Sequence, residues 1–91
     1  PLPFPARARI GKAAITMELR RRGRGLASDM PLVSLAGLLG YRDTDTLYVA
    51  VADHVVSAES IAETLIDHVD GGSIEAAIAA APNRRPAARA T

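Results

Sequence analysis

The chain contains no cysteine and no tryptophan, and only three aromatic residues: Phe4, Tyr41 and Tyr48. Without thiols there is neither a disulfide framework nor a thiolate metal site, which fits a reducing cytoplasm. With so few rings, the core has to be assembled from Leu, Ile, Val and Ala, each buried methylene contributing about 0.8 kcal/mol. Ninety-one residues make one small domain, which buries a modest share of its surface, so modest stability in isolation is expected. No apolar run approaches the roughly 20 residues of a membrane span. There is no initiator Met and no secretory pattern, and a chain opening Pro1-Leu2-Pro3 reads as cut from something longer.

The net charge is small, but the charges are unevenly laid out along the chain. The formal net charge is +1. Residues 1–24 nevertheless hold seven basic side chains (Arg7, Arg9, Lys12, Arg20, Arg21, Arg22, Arg24) against Glu18 alone. Residues 25–80 hold nine acids against Arg42, and the tail adds Arg84, Arg85 and Arg89. A basic first helix, an acidic middle and a basic end follow from that pattern.

The punctuation predicts an all-α fold, a small bundle of four to five short helices over about 6–22, 31–39, 44–53, 57–70 and 73–81. Residues 1–5 are a Pro-rich lead, since alternating prolines remove backbone donors and extend the residues before them. Residues 6–81 form the helical domain. From Ala6 strong helix formers dominate, Ile10, Ala14 and Met17 marking one stripe and Ile15 and Leu19 the next. Arg20 to Arg22 sit where positive charge meets the negative end of the helix dipole, and Gly23 and Gly25 end the helix. In the second helix Leu32, Leu35, Ala36 and Leu39 recur at helical spacing, with Asp29 as cap (Ser34 being a later alternative), Pro31 in the first turn and Gly40 closing the end. Asp43 or Thr44 caps the third, which turns Leu47, Tyr48 and Val51 inward, although its β-branched content also suits a strand. Ser57 opens the fourth, with Ala58, Ile61, Leu65 and Val69 as core stripe, Ala62 and Ile66 beside it, and Gly71-Gly72 as its stop. Ser73 caps a weaker fifth helix. Residues 82–91 have no apolar side chain larger than Ala and read as a disordered basic linker or tail.

Nothing in the chain has the spacing of a catalytic or metal centre. His54 and His68 lie fourteen apart with no partner at ligand spacing; both are better read as helix-end residues facing the dipole. The acids lack the alternating-oxygen order of a calcium loop, and helix caps plus a solvated face explain them. The glycine cluster at Gly23 and Gly25 follows no strand, which excludes a phosphate-binding P-loop. No catalytic residue, metal or cofactor is therefore expected. One feature has the chemistry to touch a ligand: Arg20, Arg21, Arg22 and Arg24, guanidinium groups at a helix end and in a glycine loop, which can meet RNA or a partner's anions. Solvation with helix termination weighs about as much. Tyr48, next to Leu47, belongs in the core rather than stacked on a base.

Two resemblances compete for the central hairpin. Leu35 to Val51 (LAGLLGYRDTDTLYVAV) resembles half of a helix-turn-helix of the arabinose-regulator type, whose second helix enters the major groove. Here that helix brings Asp43, Asp45 and Asp53 to a duplex carrying one charge per about 1.7 Å, with Arg42 alone to offset them. The second covers nearly everything from Ala6. It runs through Gly11-Lys12-Ala13-Ala14-Ile15, the arginine-bearing helix end, Ser34-Leu35, Leu38/Leu39-Gly40-Tyr41-Arg42-Asp43 and Leu47-Tyr48-Val49-Ala50-Val51. His54-Val55-Val56-Ser57-Ala58, Gly71-Gly72 and the Ile74-Glu75-Ala76 segment before the Arg/Pro-rich tail complete it. In order and spacing these resemble the helical domain in the C-terminal regulatory half of long RelA/SpoT-type (p)ppGpp synthetase/hydrolases, the actinobacterial ones in particular. The chain departs from them in lacking the Trp-Phe-containing helix that comes first, and in carrying Ala52-Asp53 where they have a glycine-containing turn.

That resemblance implies a regulatory role. The synthetase and hydrolase centres belong to the other half of such enzymes, so the parent is expected to be a GTP pyrophosphokinase or (p)ppGpp hydrolase while this segment is not an enzyme. The regulatory half senses starvation on ribosomes stalled with uncharged tRNA. Other domains of the parent chain, and the ribosome or tRNA through the basic first helix, are the implied partners. A free-standing protein-interaction module that docks a partner helix on an exposed leucine stripe is the third reading.

Overall fold

The computed structural model describes residues 1–26 and 28–71 of the chain. Four helices account for them: α1 (Phe4–Arg21), α2 (Met30–Leu38), α3 (Thr44–Ala52) and α4 (Ala58–Gly71), with no strand among the described residues. The stretch that also suited a strand is helical, as the cap ahead of it requires. The expected fifth helix, residues 73–81, and the tail, 82–91, lie outside the described residues, as does Gly72 of the expected stop.

α1 begins two residues earlier than proline content implies. Pro3 takes the N-cap position in extended backbone, and Pro5 sits within the first turn. The N–H that proline lacks is one of the helix's unpaired first donors, so nothing is lost there. Side-chain capping is clear at α3, where Asp43 Oδ1 accepts from the Thr46 N–H at 2.9 Å and from its hydroxyl at 2.7 Å. It is equally clear at α4, where Ser57 Oγ accepts from the Ser60 N–H at 2.9 Å. Asp29 stands at the expected N-cap position of α2, but its backbone is helical and its side chain makes no cap bond. Ser28 Oγ takes the Met30 N–H instead, at 3.3 Å.

The first three helices end in one geometry. After α1, Gly23 N–H donates to the Arg20 carbonyl and Arg24 N–H to that of Leu19; after α2, Gly40 pairs with Gly37 and Tyr41 with Ala36; after α3, His54 pairs with Val51 and Val55 with Ala50. These nested bonds are the Schellman closure, which needs a residue at positive φ. Gly23 and Gly40 supply it at 74° and 91°; at the third end His54 supplies it, at 61°. A Cβ at that angle costs about 1 kcal/mol that glycine avoids. His54→Gly is therefore expected to stabilise the chain by about 0.5–1 kcal/mol, raising its melting temperature by several degrees. A melting temperature equal to or below that of the parent chain would contradict this.

The core gathers Ala8, Ile15 and Leu19 from α1, Leu32, Leu35 and Ala36 from α2, Leu47, Tyr48 and Val51 from α3, and Ile61, Ala62 and Leu65 from α4. Tyr48 is buried with them and Tyr41 packs half-buried against them, so neither ring is free for a base. Burial also pushes the Tyr48 phenol above its ordinary pKa, the carboxylates of Asp29 and Asp45 acting in the same direction. α1 lies chiefly against α3 and then α4. Its buried face runs Ala8-Gly11-Ile15-Leu19, while Ile10 and Met17 of the other expected stripe point away from the core, 47% and 61% exposed. Gly11 is where α1 and α3 cross, with the Tyr48 backbone directly over it. On the inward face of α4 the Thr64 side chain is wholly buried and satisfied by donating to the Ser60 carbonyl at 2.9 Å.

Candidate functional site

The four arginines singled out by sequence share a helix end but not a fate. Arg22 and Arg24 turn toward α4. Arg22 bonds Glu18 at 2.7 Å and reaches Glu63 at 3.4 Å. Arg24 holds Asp70 with two parallel bonds, 2.9 and 2.8 Å. The Glu18 carboxyl sits below its ordinary pKa, chiefly because Arg22 donates to it. Arg24 is raised above its ordinary pKa, chiefly because it donates to the Asp70 carboxylate. These two guanidinium groups fasten the end of α1 to α4, a role that the run of like charges in the sequence does not reveal.

Arg20 and Arg21 face outward. Arg21 rests on Glu18 at 3.2 Å with its side chain 70% exposed, a contact of small worth. Arg20 is exposed and, among the described residues, has no acid at ion-pair distance. Arg9 is in the same condition, and it shares one side of α1 with Lys12, Thr16 and Arg20, residues spaced three to four apart. Arg7, nearer the start, is spent on Asp53 at 2.7 Å and ties α1 to the end of α3.

Beside that cationic side lies a cleft of about 280 Å³ between α1 and the loop leading to α2, lined by Lys12, Thr16, Arg20, Arg24 and Asp29 with Leu19, Gly25, Leu26 and Leu32. Lys12 and Asp29 face each other at 3.8 Å. Sequence reasoning found the arginine end of this cleft and missed Lys12, Thr16 and Asp29. The signal for the first two was present as the spacing Lys12, Thr16, Arg20. Asp29 reaches the cleft only through the fold.

The exposed acids of the middle, Asp45, Glu59 and Asp67, lie on the outer surface, and among the described residues no cluster of His, Cys, Asp or Glu is arranged to hold a metal ion. No described helix is long and apolar enough to cross a membrane.

A compact set of short helices around an aliphatic core, with a cationic helix on one side, defines a small all-helical domain. The chain belongs to the RelA/SpoT AH domain family, whose model matches residues 6–66, more than half of its length. No curated protein and no solved structure matches it.

Proposed function

We propose that the chain is the regulatory helical domain of a long RelA/SpoT-type (p)ppGpp synthetase/hydrolase of actinobacterial kind, acting in the cytoplasm in the stringent response. It performs no chemistry itself. It relays the state of the ribosome and its tRNA to catalytic domains elsewhere in the parent chain. The observation that supports this most is the family match over residues 6–66, joined to an α1 that keeps Arg9, Arg20 and Arg21 outside the bundle.

The division of labour among the arginines sharpens the test. Arg20 and Arg21 face RNA, whereas Arg22 and Arg24 hold α4. The acidic outer surface of α3 and α4, and the uncharged outer side of α2 with Met30, Val33 and Leu38 exposed, are surfaces for neighbouring domains of the parent. In the full-length protein, the Arg20→Glu/Arg21→Glu double variant is expected to lose ribosome co-sedimentation and to lower the salt dependence of binding by about two phosphate contacts. The Arg22→Glu/Arg24→Glu pair instead lowers the melting temperature of the domain. Ribosome pelleting by the first double variant that matches the parent across a salt series would remove the RNA contact from this reading.

A further inference from the structure

From the cleft beside α1 we infer a binding site for the phosphate group of a phosphate ester, gripped by Lys12 and Arg20 over Thr16 and held closed by Asp29 in the free chain. The site is built from helix geometry. Lys12 and Arg20 stand eight residues apart, about 12 Å along the axis, with Thr16 midway. Two long cationic side chains thus flank a short one, and both can bend over it toward a single anion. Lys12 offers an ammonium with three donors, Arg20 a planar fork that matches phosphate oxygens. The Thr16 hydroxyl, which now donates to the Lys12 carbonyl at 2.9 Å, can turn to a phosphate oxygen.

The charges inside the cleft are not balanced among the described residues. Arg24 is committed to Asp70 by two short bonds and forms a fixed wall. Arg20 has no acid partner there, and Lys12 has only Asp29, at 3.8 Å, with both side chains more than half exposed. A pair that long and that wet is held weakly. Asp29 is also free of helix duty, since its side chain makes no cap bond to α2. Its carboxylate occupies the place an incoming anion takes, and a phosphate, with more charge and more acceptors, displaces it.

Size selects among phosphate ligands. A cleft of about 280 Å³ falls just under the roughly 300 Å³ at which pockets for drug-sized ligands begin. It takes a phosphate and the sugar that carries it, with Leu26 and Leu32 as the apolar side, rather than an entire nucleotide with its base. One phosphate of an RNA backbone meets that description. The choice of RNA as its source rests on the function proposed above; the phosphate site does not.

The experiment is a titration of the 91-residue chain, followed residue by residue through its backbone amide resonances. Three probes are used: inorganic phosphate, adenosine 5′-monophosphate and a ten-nucleotide single-stranded RNA. All three are expected to shift the amides of Lys12, Thr16 and Arg20. Lys12→Gln is expected to weaken each about tenfold, the loss of one charge-assisted contact. Asp29→Asn is expected to tighten each by up to about fivefold, with the melting temperature unchanged. Arg9→Gln and Arg21→Gln remove equal charge from the same helix outside the cleft and are expected to leave binding of the first two probes as it was. Equal weakening by Lys12→Gln and Arg21→Gln would mean diffuse attraction to a basic helix and would overturn the site. So would a chain that shows no shift with any probe, or RNA binding that depends on Arg20 and Arg21 but not on Lys12; the last result leaves the proposed function standing. RNA bound no more tightly than the monophosphate upholds the cleft and removes RNA as its ligand.

Discussion

Gly11→Ala is expected to be the most damaging single-methyl change in this chain. A Cβ built on Gly11 lies 1.7 Å from the carbonyl oxygen of Tyr48 and 2.5 Å from its carbon, atoms of the α3 backbone. No side chain can rotate away to make room, so α1 and α3 must move apart where they pack most extensively. Overpacking typically costs about 1–3 kcal/mol where neighbours can shift. Here the neighbour is main chain, and the cost is expected at or above the top of that range. For a domain whose total stability lies near the low end of about 5–15 kcal/mol, that lowers the melting temperature by more than about 10 °C. Gly37→Ala is the control. Gly37 lies on the exposed side of α2 with nothing within 4 Å of an added Cβ, so alanine there is expected to be neutral or stabilising by about 0.5–1 kcal/mol. Thermal melts of the two variants that coincide with each other would refute the close crossing of α1 and α3.

Leu35→Ala is expected to release α2. Leu35 is fully buried and, with Leu32 and Ala36, forms the face by which α2 joins the core. Deleting a buried leucine to alanine costs about 2–5 kcal/mol, depending on how far the site collapses. Collapse is limited here because α2 meets α3 and α4 less extensively than α1 meets α3. The expected result is local: amides of residues 32–40 lose protection from hydrogen exchange first, while those of α1 and α3 follow at higher free energy. The nine residues of α2, MPLVSLAGL, carry no charge. A released α2 therefore exposes an uncharged, mostly apolar stretch, detectable as increased binding of a hydrophobic dye. Unchanged protection at residues 32–40 would show that α2 is held by something other than its leucines.

How much of this was legible in the sequence depends on the distance over which each feature is decided. Helix ends and starts are settled within a few residues, which is why Gly23, Gly40, Asp43 and Ser57 marked them correctly. Asp29 marked the start of α2 but makes no side-chain cap bond, because such a bond needs extended backbone as well as an oxygen, and its backbone is already helical. The third helix end carries no glycine, so His54 gave no sign that it adopts the left-handed conformation. Gly11 reads in a sequence as a small loss of helix propensity. Its purpose appears only when α3, some 37 residues later, lays its backbone on it. Of the stripe Ile10, Ala14 and Met17, Ala14 packs against the core while Ile10 and Met17 are exposed, because α1 carries apolar residues around much of its circumference and periodicity alone does not say which side is covered. Of the candidate site, the basic helix end was readable. That Arg22 and Arg24 are spent within the chain, while Lys12 and Thr16 line a cleft, depends on where α4 and the loop before α2 come to lie.

The three nested helix ends carry a consequence for how the chain finds its shape. Each reversal is encoded by six consecutive residues, so exit directions are fixed before any distant segment arrives. What then remains is the assembly of a few stiff rods on short tethers, a search in which little entropy is left to lose to loop closure. Lengthening one of those tethers would slow that assembly far more than it would weaken the finished bundle.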